Sequence, residues 1–236
     1  MAPTTASRRA SGRRCGVALR AAACCAAFAL SLHEVGFSLP LAGRRSLLGA
    51  GLLAGGVLPA HAAEDRYVTL NIDVQDGDGP STEKVTIRLR KDWAPRGVRR
   101  FMKMISLGDL EDAAFYHVDE GAAHFGLPAE PTLPMVPIKD DLVQTSNRRG
   151  TVSFKPSSYS GRVNELFINS ADNKRLDRAG VAPIGEVVGD GMEVIDRLYS
   201  GYGTRPNKFD VKREGNKYLD REFPKLAKIR SVDVDA

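Results

Sequence analysis

The chain has 236 residues, 34 Lys+Arg against 29 Asp+Glu, a formal net charge of +5 and three cysteines. With 42% hydrophobic and 27% charged residues, it has room for one domain with a full core plus an extension. The basic excess sits at the start. Residues 1–62 hold seven arginines and one acid, Glu34, which leaves 27 basic and 28 acidic residues beyond. A body with a net charge of −1 carries no electrostatic footprint for nucleic acid.

Residues 1–62 read as a targeting leader and 63–236 as the folded domain. Arg8 to Arg20 is basic and free of acids. Ala21 to Leu32 is an apolar run, shorter than the roughly 20 residues a spanning helix needs. A second signal follows: the pair Arg44-Arg45, an apolar stretch to Pro59, and Ala60-His61-Ala62 as a small-x-small cleavage site. Two signals in series resemble a thylakoid-lumen precursor; the alternative is a bacterial-type export signal behind a basic prefix. Either way the mature form is expected to be exported and not membrane-spanning. Cys15, Cys24 and Cys25 all lie in the leader, so the body has no thiol chemistry and no disulfide.

Tyr67 to Val74 alternates, with Val68, Leu70, Ile72 and Val74 on one face, which predicts a half-buried strand. Gln75 to Ser81 predicts a hairpin turn; Pro80 falls where a calcium loop would need a ligand. Glu83 to Arg90 predicts the partner strand, with Val85, Ile87 and Leu89 inward. Pro95 starts a helix whose apolar stripe is Val98, Phe101, Met102 and Ile105, and Gly108 ends it. Ala114 to Val118 is a further strand. Pro128, Pro131, Pro134 and Pro137 recur every third residue, a spacing that suits a surface loop or a polyproline II segment.

Asn164 to Gly189 holds most of the remaining signal. Leu166-Phe167-Ile168 is the size of a buried strand, Asn169 to Asn173 is turn chemistry, and Leu176-Asp177 begins a second loop. Gly185-Glu186-Val187-Val188 predicts a strand and Gly191 to Ser200 a helix, with Met192, Ile195, Leu198 and Tyr199 inward. A closing strand holds Ile229, Val232 and Val234. Gly-x-Ser-x-Gly, P-loop and dinucleotide fingerprints are absent from the sequence.

Four of these segments resemble the cyclophilins, the peptidyl-prolyl cis-trans isomerase family. They are Glu165-Leu166-Phe167-Ile168, Leu176-Asp177, Ile184-Gly185-Glu186-Val187 and Gly191-Met192-Glu193-Val194-Ile195-Asp196. Ala114-Phe115-Tyr116-His117-Val118 looks like the family's catalytic strand, and the resemblance runs from about 67 to 234. It implies a mainly β fold: a closed, eight-stranded antiparallel barrel capped by two α-helices. It implies X-Pro isomerisation without a cofactor or metal, acting on proline-containing segments of client proteins.

That chemistry needs no acid, base or nucleophile. The barrier of about 18–20 kcal/mol is amide resonance. A site lowers it by gripping the proline ring and offering a donor to the prolyl nitrogen as the bond twists. In the family an arginine is the donor; here His117 stands in that position. By the same resemblance Phe167 is a pocket residue, with Leu166 beside it. Phe154 lies on the neighbouring strand, and Leu176 falls beside a loop position that is often aromatic. Ala122-Ala123 replace a Phe-Met pair, His124 or Phe125 replaces a backbone-holding glutamine, and Glu165 replaces an amide. Core positions match while the active face departs. Two expectations follow: an isomerase assisting folding of lumenal proteins, or a weakly catalytic peptide-binding or assembly factor for a photosynthetic complex. Histidine charges below about pH 6.5, so activity through His117 should rise on acidification. Glu165 is expected to be a solvated edge residue or to repel acidic peptides.

Overall fold

The computed structural model describes residues 65–76, 79–133, 135–156 and 162–235; the leader signals and the cleavage residues Ala60 and Ala62 lie outside them. β1 (Arg66–Asp76) and β2 (Gly79–Leu89) form the hairpin, in register from Arg66–Leu89 to Asp76–Gly79. Their alternation does what the pattern demands. Val68, Leu70, Ile72, Val85 and Ile87 are fully buried, and the intervening residues face out.

After α1 (Pro95–Ser106), short strands follow: β3 (His117–Val118), β4 (Ala122–Phe125), β5 (Thr151–Phe154) and β6 (Leu166–Asn169). α2 (Arg175–Arg178) and β7 (Pro183–Val188) come next, then α3 (Gly191–Asp196), α4 (Lys208–Glu214), α5 (Asn216–Glu222) and β8 (Lys228–Val234). All strand pairs are antiparallel, in the order β3-β4-β6-β5-β7-β2-β1-β8. At Gly185 in β7 the backbone passes so close to β2 that a Cβ would stand 2.4 Å from the Arg88 carbonyl oxygen, which excludes any side chain there.

Two expectations are corrected. The sheet is a curled half-barrel, not a closed one. β3 is two residues long and does not reach β8 as a strand. The segment before β3 is tied to β8 instead, by Asp112 N–H to Ile229 O (2.7 Å), Ile229 N–H to Ala113 O (2.9 Å) and Phe115 N–H to Ala227 O (2.9 Å). The helices also number five among the described residues, not two. α4 and α5 are built from a stretch for which no element was predicted; each buries a single residue, Val211 and Leu219. Gly215 joins them at φ +62°, and a Cβ there would meet the Ala129 carbonyl oxygen at 2.1 Å.

The core packs Phe101, Met104, Phe115, Phe125, Phe154 and Leu166 with the hairpin residues and Ile184. On α1 the inward residues are Val98, Phe101 and Met104, with Met102 and Ile105 only partly covered. On α3 and the turn after it, Val194, Ile195 and Leu198 are buried and Met192 and Tyr199 half-buried. Asp141 caps α1 by accepting from Arg96 N–H (3.2 Å) and Gly97 N–H (2.9 Å). It also holds buried Arg162 at 2.9 Å. Arg100 is buried and donates to the Val136 carbonyl at 2.5 Å. These contacts anchor the proline-rich segment, whose Leu133 and Val136 face solvent.

Candidate functional site

Register assembles the site. His117 on β3 pairs with His124 on β4, which pairs with Phe167 on β6, which pairs with Ser153 on β5. Side chains alternate along strands, so these four share the outer face of the curled sheet. The rings form a chain: Tyr116 to His117 at 4.7 Å, His117 to His124 at 6.0 Å, and His124 to Phe167 at 5.5 Å between centroids. Beside them Ala122, Phe167 and Val181 make a small apolar cluster, with Leu176 packed against it. Phe125, Phe154 and Leu166 point the other way. All three are fully buried in the main core, so of the residues implied for peptide binding only Phe167, Leu176, His124 and Glu165 reach the outer row.

The loop carrying Leu176 is held by a polar network. Asp177 accepts from Asn147 N–H (2.8 Å), Asn147 Nδ2 (2.8 Å) and Ser146 Oγ (2.5 Å). Asn147, fully buried, donates also to the Val181 carbonyl and accepts from Ser153 Oγ, each at 2.8 Å. Burial pushes the Asp177 carboxyl up, but the hydrogen bonds from Ser146 and Asn147 together outweigh it and hold the group below the usual aspartate range. Leu176 and Val181 are thereby fixed against Phe167.

Glu165 is not a bare edge carboxylate. Lys212 Nζ donates to its Oε1 at 2.6 Å, Lys208 Nζ lies 3.8 Å from Oε2, and the buried Tyr116 hydroxyl donates to Oε2 at 3.4 Å. Burial raises its pKa; the hydrogen bond and charge of Lys212, then Lys208 and Lys155, more than reverse this. Both lysines come from α4, one turn apart, and Val211 beside them packs into a second cluster with Tyr116, Leu127 and Leu219. The α4–α5 segment therefore builds one wall of the site.

The same segment reaches the donor position. His117 Nε2 lies 2.7 Å from the carbonyl oxygen of buried Pro206. A carbonyl only accepts, so the proton sits on Nε2, and the neutral ring presents a lone pair at Nδ1. A second N–H exists only in the imidazolium. Burial first, then the Lys155 charge, lower the His117 pKa, against the Pro206 carbonyl, Asp119 and Glu165, which raise it. His124 is pushed down to about 4, mainly by burial and further by Lys155 and His117, and its buried Nδ1 has no hydrogen-bond partner among the described residues. Pro206, Lys155, Lys208, Lys212 and Val181 were not singled out from the sequence. The only signal was the i, i+4 spacing of Lys208 and Lys212, hidden while α4 went unread. No metal-holding group of His, Cys, Asp and Glu occurs among the described residues.

The model of the cyclophilin-type peptidyl-prolyl cis-trans isomerase/CLD family matches residues 71–215. The match spans more than half of the chain, which therefore belongs to the cyclophilin-type family. Probable peptidyl-prolyl cis-trans isomerases of Brucella suis and Brucella melitensis are each 27% identical over 180 residues, covering 66% of this chain and 86% of the relative. A Cryptosporidium parvum cyclophilin-type isomerase superposes with a TM-score of 0.51 at 12% identity, over 73% of this chain and 98% of its own. The same protein in the presence of the dipeptide Ala-Pro gives 0.50 at 13% identity, over 72% and 99%.

Proposed function

We propose that the domain isomerises X-Pro bonds in client segments, with the proline ring against Phe167, Ala122, Val181 and Leu176, and with His117 as the donor to the prolyl nitrogen. The observation that carries this reading is that apolar cluster, on the same outer face as His117. His117 serves as donor through Nδ1–H, hence only as imidazolium. Its depressed pKa makes turnover rise as pH falls below the ordinary histidine range of about 6.5. The Ala-Pro dipeptide used with the Cryptosporidium relative fits such a substrate. The two leader signals suit delivery to an acidic exported compartment, the thylakoid lumen, where the domain would assist folding of lumenal proteins. An export compartment of periplasmic type fits the same leader less fully.

One observation favours a second reading, a peptide-binding or assembly factor for a photosynthetic complex with little turnover. The donor position holds an imidazole whose Nε2 is already engaged by Pro206. The two readings separate in an exchange NMR assay of the chain on an Ala-Pro peptide, beside His117→Asn and His117→Arg. Activity lost in His117→Asn supports the donor. A silent parent with activity gained in His117→Arg shows an intact groove without a working donor. Silence in all three supports the binding factor.

A further inference from the structure

We propose that the groove selects X-Pro segments bearing a carboxylate close to the proline, and that Lys155 is the residue that recognises it. This deepens the isomerase reading above and rests on the same groove. Lys155 continues β5 two residues beyond Ser153, and its N–H donates to the Glu165 carbonyl at 2.8 Å. Lys155 and Glu165 therefore lie on the face that carries Ser153 and Phe167, one row along from the aromatic chain. Lys155 is half-buried, yet among the described residues its Nζ has no hydrogen-bond or ion-pair partner. The nearby anions are committed elsewhere. Glu165 is taken by Lys212, Lys208 and Tyr116, and Asp119 Oδ1 accepts from Gly121 N–H (2.8 Å) and Ala122 N–H (2.9 Å).

The surrounding charges are mixed. Burial first lowers the Lys155 pKa; Glu165 and Asp119 raise it, and Lys208 and Lys212 lower it. An ammonium stripped of part of its water, with no hydrogen-bond or ion-pair partner of its own among the described residues, gains from an added anion. Lys212 and Lys208 pair with the Glu165 carboxylate, and Lys155 lies beside it. A client carboxylate here also favours the charged form of His117, which Lys155 otherwise opposes.

The test is NMR titration of the full chain with Ala-Pro peptides carrying Glu, or the isosteric Gln, in turn at each of the two residues before and after the dipeptide. In at least one register Glu should bind about fivefold more tightly than Gln, the scale of a partly exposed ion pair of about 1 kcal/mol. That advantage should shrink with salt, vanish in Lys155→Met and return in Lys155→Arg, while Gln peptides bind Lys155→Met as they bind the parent. Equal binding of Glu and Gln in every register overturns the proposal, as does an advantage that survives Lys155→Met. If no peptide binds at all, the proline groove itself fails and the inference falls with it.

Discussion

His124 makes folding stability depend on pH in a range where most surface groups do not titrate. Its folded pKa of about 4 lies below the ordinary 6.5, so the unfolded chain binds a proton that the folded chain refuses. The sign follows: the penalty is absent above about pH 7, grows as pH falls through 6.5, and levels off only below about pH 4. The full difference of about 2.5 units corresponds to roughly 3 kcal/mol, of which about 2 kcal/mol is already lost at pH 5. His124→Phe removes the titration. It should fold at least as well at neutral pH, since the lost Nδ1 has no hydrogen bond to forfeit among the described residues and the new ring meets Phe167 and Tyr116. Urea unfolding of both proteins at about pH 7.5 and about pH 5 should give the parent a loss larger than the variant's by about 2 kcal/mol. Equal losses would show that His124 is not desolvated by its ring neighbours, and the packing assigned to the outer row would be wrong.

Asp177→Ala strands the buried amide of Asn147 and frees the Leu176 loop. A loss of about 2–3 kcal/mol in urea unfolding is expected, with weaker peptide binding; a loss under about 0.5 kcal/mol would sink the anchoring role. Glu165→Gln removes a charge that raises the His117 pKa, so the His117 titration followed by NMR should move to lower pH. A midpoint that stays put would separate Glu165 from the donor.

The strands were legible where one face is buried and the other wet. Val68 to Val74 and Val85 to Leu89 show the period of two because the hairpin has a core side and a solvent side. Gly191-Met192 and Leu176-Asp177 were legible as motifs, although the reason for Asp177, the buried Asn147 network, is a tertiary fact that spacing does not encode. The site was legible only in outline. His117, His124, Phe167 and Leu176 do converge, yet Phe125, Phe154 and Leu166, their neighbours in sequence, alternate into the core. α4 escaped because Val211 is its one buried residue. With it escaped the Lys208–Glu165–Lys212 cluster and the Pro206 carbonyl, which reach His117 and Glu165 from some 40 to 90 positions away in sequence.

The central claim is that His117 acts on the prolyl nitrogen only when charged. It is tested most directly by following Ala-Pro exchange catalysed by the chain across about pH 4.5 to 8, together with the His117 ring titration in the same samples. The account predicts a rate that rises on acidification with the midpoint of His117, with the neutral ring protonated at Nε2. A rate that is flat in pH, or a neutral ring protonated at Nδ1, would contradict it.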